Sequence, residues 1–294
     1  MSLSKTIYRF YPYLPHDLDS LANSYLWFSK SSDFNDPFED VFISNMLDID
    51  NHKYDEVKAI KFLELANKNN GSADQVYNNL LNVAINGKLQ AIYEGLIRNV
   101  VDKLHNDFSN FLEKSRFCCF VEDRDSIALE SKLMWSHYAN GMRGFCVEFD
   151  REKLINGIMR INNINVEYGE IVYAELTKYS LHETLMNVLK KTYLNHEVVG
   201  ISDLMTMKSN EWSYENELRL KVNDINAIQY DCGAVKSITF GDKIPKAKLN
   251  TLISVLRGNP LLNCELYEAT IDLNNFKIIR RLIGHSRSGL LTTA

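Results

Sequence analysis

The feature that most constrains the fold is a long stretch without proline, residues 52–114, set between segments that read as β-strands. The chain's prolines fall at 12, 15, 37, 245 and 260, so nothing in 52–114 breaks a helix. Leu80, Leu81, Val83, Ala84 and Ile85, then Ile92, Leu96, Val100, Val101 and Leu104, recur at helical spacing and predict amphipathic helices. Asn69, Asn70, Gly71 and Ser72 predict a turn between two of them. On either side the pattern changes. Residues 6–10, 25–29, 117–121, 143–149, 166–174, 214–222, 235–240, 265–271 and 276–280 are apolar runs or alternate apolar with polar, as strands do. Shorter helices are predicted over 129–140, 181–193, 202–209 and 245–257, with Gly141 as a helix C-cap and a frayed tail after Gly284. The expectation is a single α+β domain over 1–294, with a mixed, mostly antiparallel sheet and a helical insertion at about 52–114.

Composition narrows the function classes. Basic residues number 33 and acidic ones 38, a net charge of −5. That balance carries no basic excess of the kind that binds nucleic acid. The five cysteines (118, 119, 146, 232 and 264) are odd in number and form no framework, which argues against a secreted disulfide scaffold. The first ten residues show no signal-peptide pattern, and no apolar run reaches the ~18 residues that span a membrane. A soluble, cytoplasmic protein is expected. Phosphate-binding glycine loops, CxxC, HExxH and GxSxG are all absent. The histidines are scattered, so no metal site is expected.

Three short segments carry the chemistry that is left. Trp135, Ser136, His137 and Tyr138 crowd rings with polar atoms and a hydroxyl onto one predicted helix. They could stack on a base or nicotinamide and bond a ribose or phosphate; the competing reading is aromatic packing with satisfied polar tips. Glu215, Glu217 and Arg219 fall on one face of the strand predicted over 214–222. Crowded carboxylates raise each other's pKa and suit proton transfer, whereas the competing reading pairs Arg219 with Glu217 on a solvated face. Tyr8 and Arg9 point to opposite faces of the first strand, and Arg9 suits clamping an anion; the competing reading is a surface arginine. Asn35 opens an Asn-Asp-Pro-Phe-Glu segment that could be a ligand-shaping loop; the competing reading is a rigid turn. A Cys118–His137 nucleophile and base is conceivable, but a cysteine in an apolar run is usually inert.

Taken together, Tyr8-Arg9-Phe10, Leu26-Trp27-Phe28-Ser29, the 34–39 segment, Leu133 to Ala139, Gly144 to Phe149, Lys208, Trp212, Tyr214-Glu215 and Glu217-Leu218-Arg219 resemble the bacterial "domain of unknown function 2971" family. A second, more distant resemblance is to the ADP-ribosyltransferases, which present Arg or His on an early strand, Ser or Tyr in the middle and Glu on a late strand. It implies a split sheet, NAD as substrate and no metal. Arg9 would hold the pyrophosphate or ribose, with Tyr8, Ser136, Arg219 and Asn35 as further binding residues. Trp135 or Tyr138 would stack on nicotinamide. Glu217 or Glu215, with His137, would be catalytic toward an unknown macromolecular acceptor. A toxin or phage-defence effector would fit such a transferase. The alternatives are a nucleotide-responsive binding module without catalysis and a protein-interaction module built on the helical insertion.

Overall fold

The computed structural model describes residues 5–36, 54–124, 127–175, 186 and 206–290. The chain divides into two compact units. The first comprises residues 1–31, 115–173 and 209–294, and the second 32–114 and 174–208.

The first unit is built on a sheet. In chain order its strands are β1 (Thr6–Tyr11), β3 (Ser115–Glu122), β4 (Phe145–Asp150), β5 (Glu167–Glu170), β8 (Glu217–Asn223), β10 (Val235–Gly241), β11 (Glu265–Asp272), β12 (Lys277–His285) and β13 (Gly289–Leu290). Among the described residues they lie in the order β13-β12-β11-β10-β4-β1-β3-β8-β5. Only β10 and β11 run parallel, so the sheet is mixed and mostly antiparallel, as expected. A small separate pair joins β2 (Tyr25–Trp27) to β9 (Ala227–Gln229).

Alternation along the strands sorts side chains to two faces. The first face carries Ile7, Tyr11, Phe120, Val147, Leu218, Leu220, Ile238 and Phe240. It is covered by Leu21 of α1 (Pro15–Asn23), by Leu154 and Ile158 of a further helix (Arg151–Asn162), and by Leu252 and Leu256 of the last one (Lys246–Gly258). The second face carries Tyr8, Phe10, Val121, Cys146, Ala269 and Ile278, packed against Met134, Trp135, Ala139 and Met142.

The second unit holds α2 (Glu56–Ala66), α3 (Ala73–Ile85) and α4 (Leu89–Lys114), which match the predicted helical insertion. Ser72 caps α3: its hydroxyl accepts the Gln75 N–H at 3.3 Å, and the Gln75 side chain accepts the Ser72 N–H at 3.0 Å. These helices share a core of their own, including Ala59, Phe62, Leu63, Tyr93 and Ile97, with the Phe62 and Tyr93 rings edge to face at 5.5 Å.

Several local expectations are corrected. The helix predicted over 129–140 is confined to α5 (Lys132–His137), preceded by a 3-10 turn over Ala128–Glu130. Tyr138, not Gly141, is its C-cap; Asn140, Gly141 and Met142 are then all left-handed. Residues 207–209 form strand β7 (Met207–Ser209) rather than helix, and the single strand predicted over 166–174 is divided into β5 and β6 (Val172–Ala174). The Arg151–Asn162 helix, α6, was not predicted, nor was β9. Strand order continues to Leu290, past the expected fraying point. The predicted helix over 181–193, apart from residue 186, and Pro37, Phe38 and Glu39 lie outside the described residues.

Candidate functional site

The site sits on the second face of the sheet, where α5 meets the approach to β8. Sequence alternation predicted a strand from 214. Instead residues Asn210–Glu215 form a 3-10 turn, Asn216 adopts a left-handed backbone with φ 42°, and β8 starts at Glu217. Asn tolerates that conformation better than most residues. The reversal means Glu215 and Glu217 do not share a strand face: one ends a turn and the other opens a strand.

Glu217 and Arg219, two apart on β8, do share a face. The guanidinium grips the carboxylate bidentately, Nε to Oε1 at 2.6 Å and Nη2 to Oε2 at 3.2 Å, and both residues are buried. Beside them Cys119 faces the same way. Burial and the adjacent Glu217 carboxylate push its thiol well above the ordinary range, so it is a neutral neighbour rather than a nucleophile. The Glu217 N–H donates to the Tyr173 hydroxyl at 2.8 Å.

Two further contacts tie α5 to the 3-10 turn. The Tyr138 hydroxyl donates to Oε1 of the buried Glu215. One residue earlier on each segment, Nδ1 of the exposed His137 lies 2.9 Å from the Tyr214 hydroxyl. Carboxylate, phenols and imidazole therefore form two parallel links, with the imidazole at the surface. Tyr8 is on this face too. Its hydroxyl donates to Asp123 at 2.9 Å, and burial together with that carboxylate raises its pKa, keeping it a proton donor.

Other predicted residues are placed elsewhere. Arg9 projects to the first face of the sheet, where it donates to the Cys118 sulfur and, at 3.3 Å, to the Cys119 carbonyl. Its guanidinium lies 5.5 Å from the Tyr11 ring centroid and 5.9 Å from that of Phe120. The strand's own alternation makes this so, and Arg9 cannot reach a ligand on the opposite face. Trp135 is 1% exposed. Its indole N–H donates to the Leu129 carbonyl at 2.8 Å and its ring meets Phe10 edge to face at 5.3 Å, which is core packing with a satisfied polar tip. Ser136 is exposed on the side of α5 that faces a separate cavity. Asn35 belongs to the second unit, where it is exposed. Cys118 shares the first face with Arg9, away from His137, and burial pushes its thiol up to about 11; the Cys–His pairing does not form.

Tyr214, Asp123 and Cys119 are not among the site residues expected from sequence. Tyr214 looked like an apolar-face strand residue, and only the 3-10 turn brings its hydroxyl to His137. Among the described residues no group of three His, Cys, Asp or Glu side chains could hold a metal ion, and no helix is long and apolar enough to cross a membrane.

Residues 134–220 match the family model described as Protein of unknown function (DUF2971). This supports the first of the two resemblances. The DUF2971 match opens inside α5 and closes inside β8, so it takes in His137, Tyr138, Tyr214, Glu215, Glu217 and Arg219 and leaves out Tyr8, Arg9 and Asn35. No curated protein and no solved structure matches the chain.

Proposed function

We propose that this protein binds NAD on the second face of its sheet and transfers ADP-ribose to an acceptor. The observation that carries the reading is the pair of links joining α5 to the turn before β8, Tyr138 to Glu215 and His137 to Tyr214. They gather a buried carboxylate, a surface imidazole and two phenols. In such a transfer the bond between nicotinamide and ribose C1′ breaks, and its electron pair leaves with the nicotinamide, neutralising the pyridinium charge. The ribosyl cation left behind calls for a nearby negative charge. Glu215 takes that role here: it is buried, accepts from the Tyr138 hydroxyl and lies one residue from the Tyr214–His137 link. The acceptor's lone pair then forms the new bond to C1′, and its proton passes to His137. Arg9 and Trp135 have no part in it.

The direct test is nicotinamide release from NAD by purified protein, with cell lysate as a source of acceptors. Release by the wild type, lost in Glu215→Gln and retained in Arg9→Ala, is the expected result. Full activity in a folded Glu215→Gln/Glu217→Gln variant would overturn the mechanism. A second reading, a nucleotide-responsive binding module without catalysis, is favoured by the bidentate Glu217–Arg219 pair, which holds the Glu217 carboxylate in an ion pair. It predicts saturable NAD binding by calorimetry with no nicotinamide released.

A further inference from the structure

Beside α5 the first unit contains a cavity of about 270 Å³. Trp135, Met142 and Ile278 form its buried floor, and the more exposed Ile271 and Phe276 form a wall. Lys132, Lys243 and Ser136 also line it. None of His137, Tyr138, Tyr214 and Glu215 does, so this cavity is separate from the site described above.

Three features indicate an occupant. The first is size. At about 30 Å³ per water, the space holds roughly nine waters: too little for a helix about 10 Å across, and enough for a small molecule. The second is charge. Both lysines are exposed, and among the described residues neither ammonium has a carboxylate partner. The aspartates next to Lys243 and Ile271 in the chain are engaged otherwise. Asp242 accepts from the Thr270 hydroxyl at 2.9 Å, and Asp272 accepts from the Asn274 N–H at 2.9 Å and the Asn275 amide at 2.7 Å. The third is where backbone strain falls. Met142 at φ 66° and Phe276 at φ 52° are both non-glycine residues in the left-handed region, and both line this cavity. Such residues cost about 1–3 kcal/mol each and gather where a ligand is clamped. At Phe276 the strained turn holds a ring that is 66% exposed against the cavity mouth.

We infer that this cavity binds a small organic monoanion, an apolar acyl or aryl body carrying one carboxylate, with the body on Trp135, Met142, Ile278 and Phe276 and the charge between Lys132 and Lys243. The inference does not depend on NAD chemistry. Octanoate and indole-3-acetate serve as acyl and aryl probes in isothermal titration calorimetry of the full chain, with 1-octanol and indole as uncharged analogues. At least one acid is expected to bind at a single saturable site, about tenfold tighter than its uncharged analogue. Binding should weaken about tenfold in Lys132→Ala/Lys243→Ala and disappear in Ile271→Trp, which fills the space from a half-exposed wall. Glu215→Gln should leave it unchanged. Circular dichroism melts that match the wild type certify both cavity variants as folded. The inference is overturned by any of three results: neither acid binds saturably, the uncharged analogues bind as well, or the double lysine variant binds undiminished.

Discussion

Two carboxylates on the second face of the sheet, one buried and one half-buried, are held by cations, and each makes a measurable claim. Glu217 and Arg219 are 4% exposed each and bonded bidentately. Glu217→Gln keeps the shape but leaves the buried guanidinium facing an amide, at an expected cost of about 3 kcal/mol in urea unfolding. Arg219→Met in the same background should recover part of it, because the charge that lost its partner is gone too; strictly additive costs in the double-mutant cycle would show that the pair is not coupled. Glu148 is the second case. Burial alone would push its carboxyl up, but Lys236 at 2.8 Å, Ser237 at 2.7 Å and Arg280 at 3.0 Å outweigh that and hold it below its ordinary 4.5. A carboxyl lowered on folding stabilises the native state fully above its unfolded pKa, and that contribution is lost as pH falls through the folded value. At pH 7 Glu148→Gln should therefore cost about 2 kcal/mol. The gap between variant and wild type should close as pH drops below 4.5. A gap constant from pH 7 to acid would exclude the ionic origin.

At the scale of elements, a single residue's backbone decides where the site's parts point. Asn216 in its left-handed conformation ends the 3-10 turn and lets β8 begin, while its carbonyl accepts the Glu122 N–H at 3.0 Å. A β-branched side chain is disfavoured there. Asn216→Val should destabilise the protein by about 1–2 kcal/mol more than Asn216→Gly and should reduce nicotinamide release if Glu215 is the working carboxylate; equal melting temperatures for the two variants would remove the backbone argument. This turn also shows how much the sequence could tell. Trp212, Tyr214, Leu218 and Leu220 alternate as a strand would, but only the part from Glu217 pairs with β3. The alternation of Tyr8 and Arg9 was legible and correct, and it already placed the two on opposite faces; the resemblance drew Arg9 back into the pocket. The α6 helix escaped notice because Gly157 and two asparagines dilute its pattern. Gly157 is needed there, since a Cβ would come within 2.8 Å of the Asp231 Cβ. The two α5 links join residues 77 apart in the chain, a separation at which no spacing rule operates.

For the whole molecule, the helical insertion was the most legible feature, because its residues are close in sequence and their periodicity needs no partner strand. The sheet order was not legible. Neighbours such as β1 and β4, or β3 and β8, are set by long-range pairing that alternation alone does not specify. The same contrast bears on stability. The insertion's apolar side chains pack into a cluster of their own around Phe62 and Tyr93, while the sheet unit is held by the clusters on its two faces. Elements that share a core open together, and elements with separate cores can open at different free energies. Phe62 is 1% exposed, so Phe62→Ala should cost about 3–5 kcal/mol, and the cost should be confined. In native-state hydrogen exchange, amides of α2, α3 and α4 should lose most of their protection in this variant. Those of β1, β4 and β10, at the centre of the sheet, should keep theirs within about threefold, because their apolar side chains belong to the sheet's own clusters. Equal loss of protection in helices and strands would mean that the two units unfold as one cooperative body, and that the insertion is part of what holds the sheet, and the site on it, together.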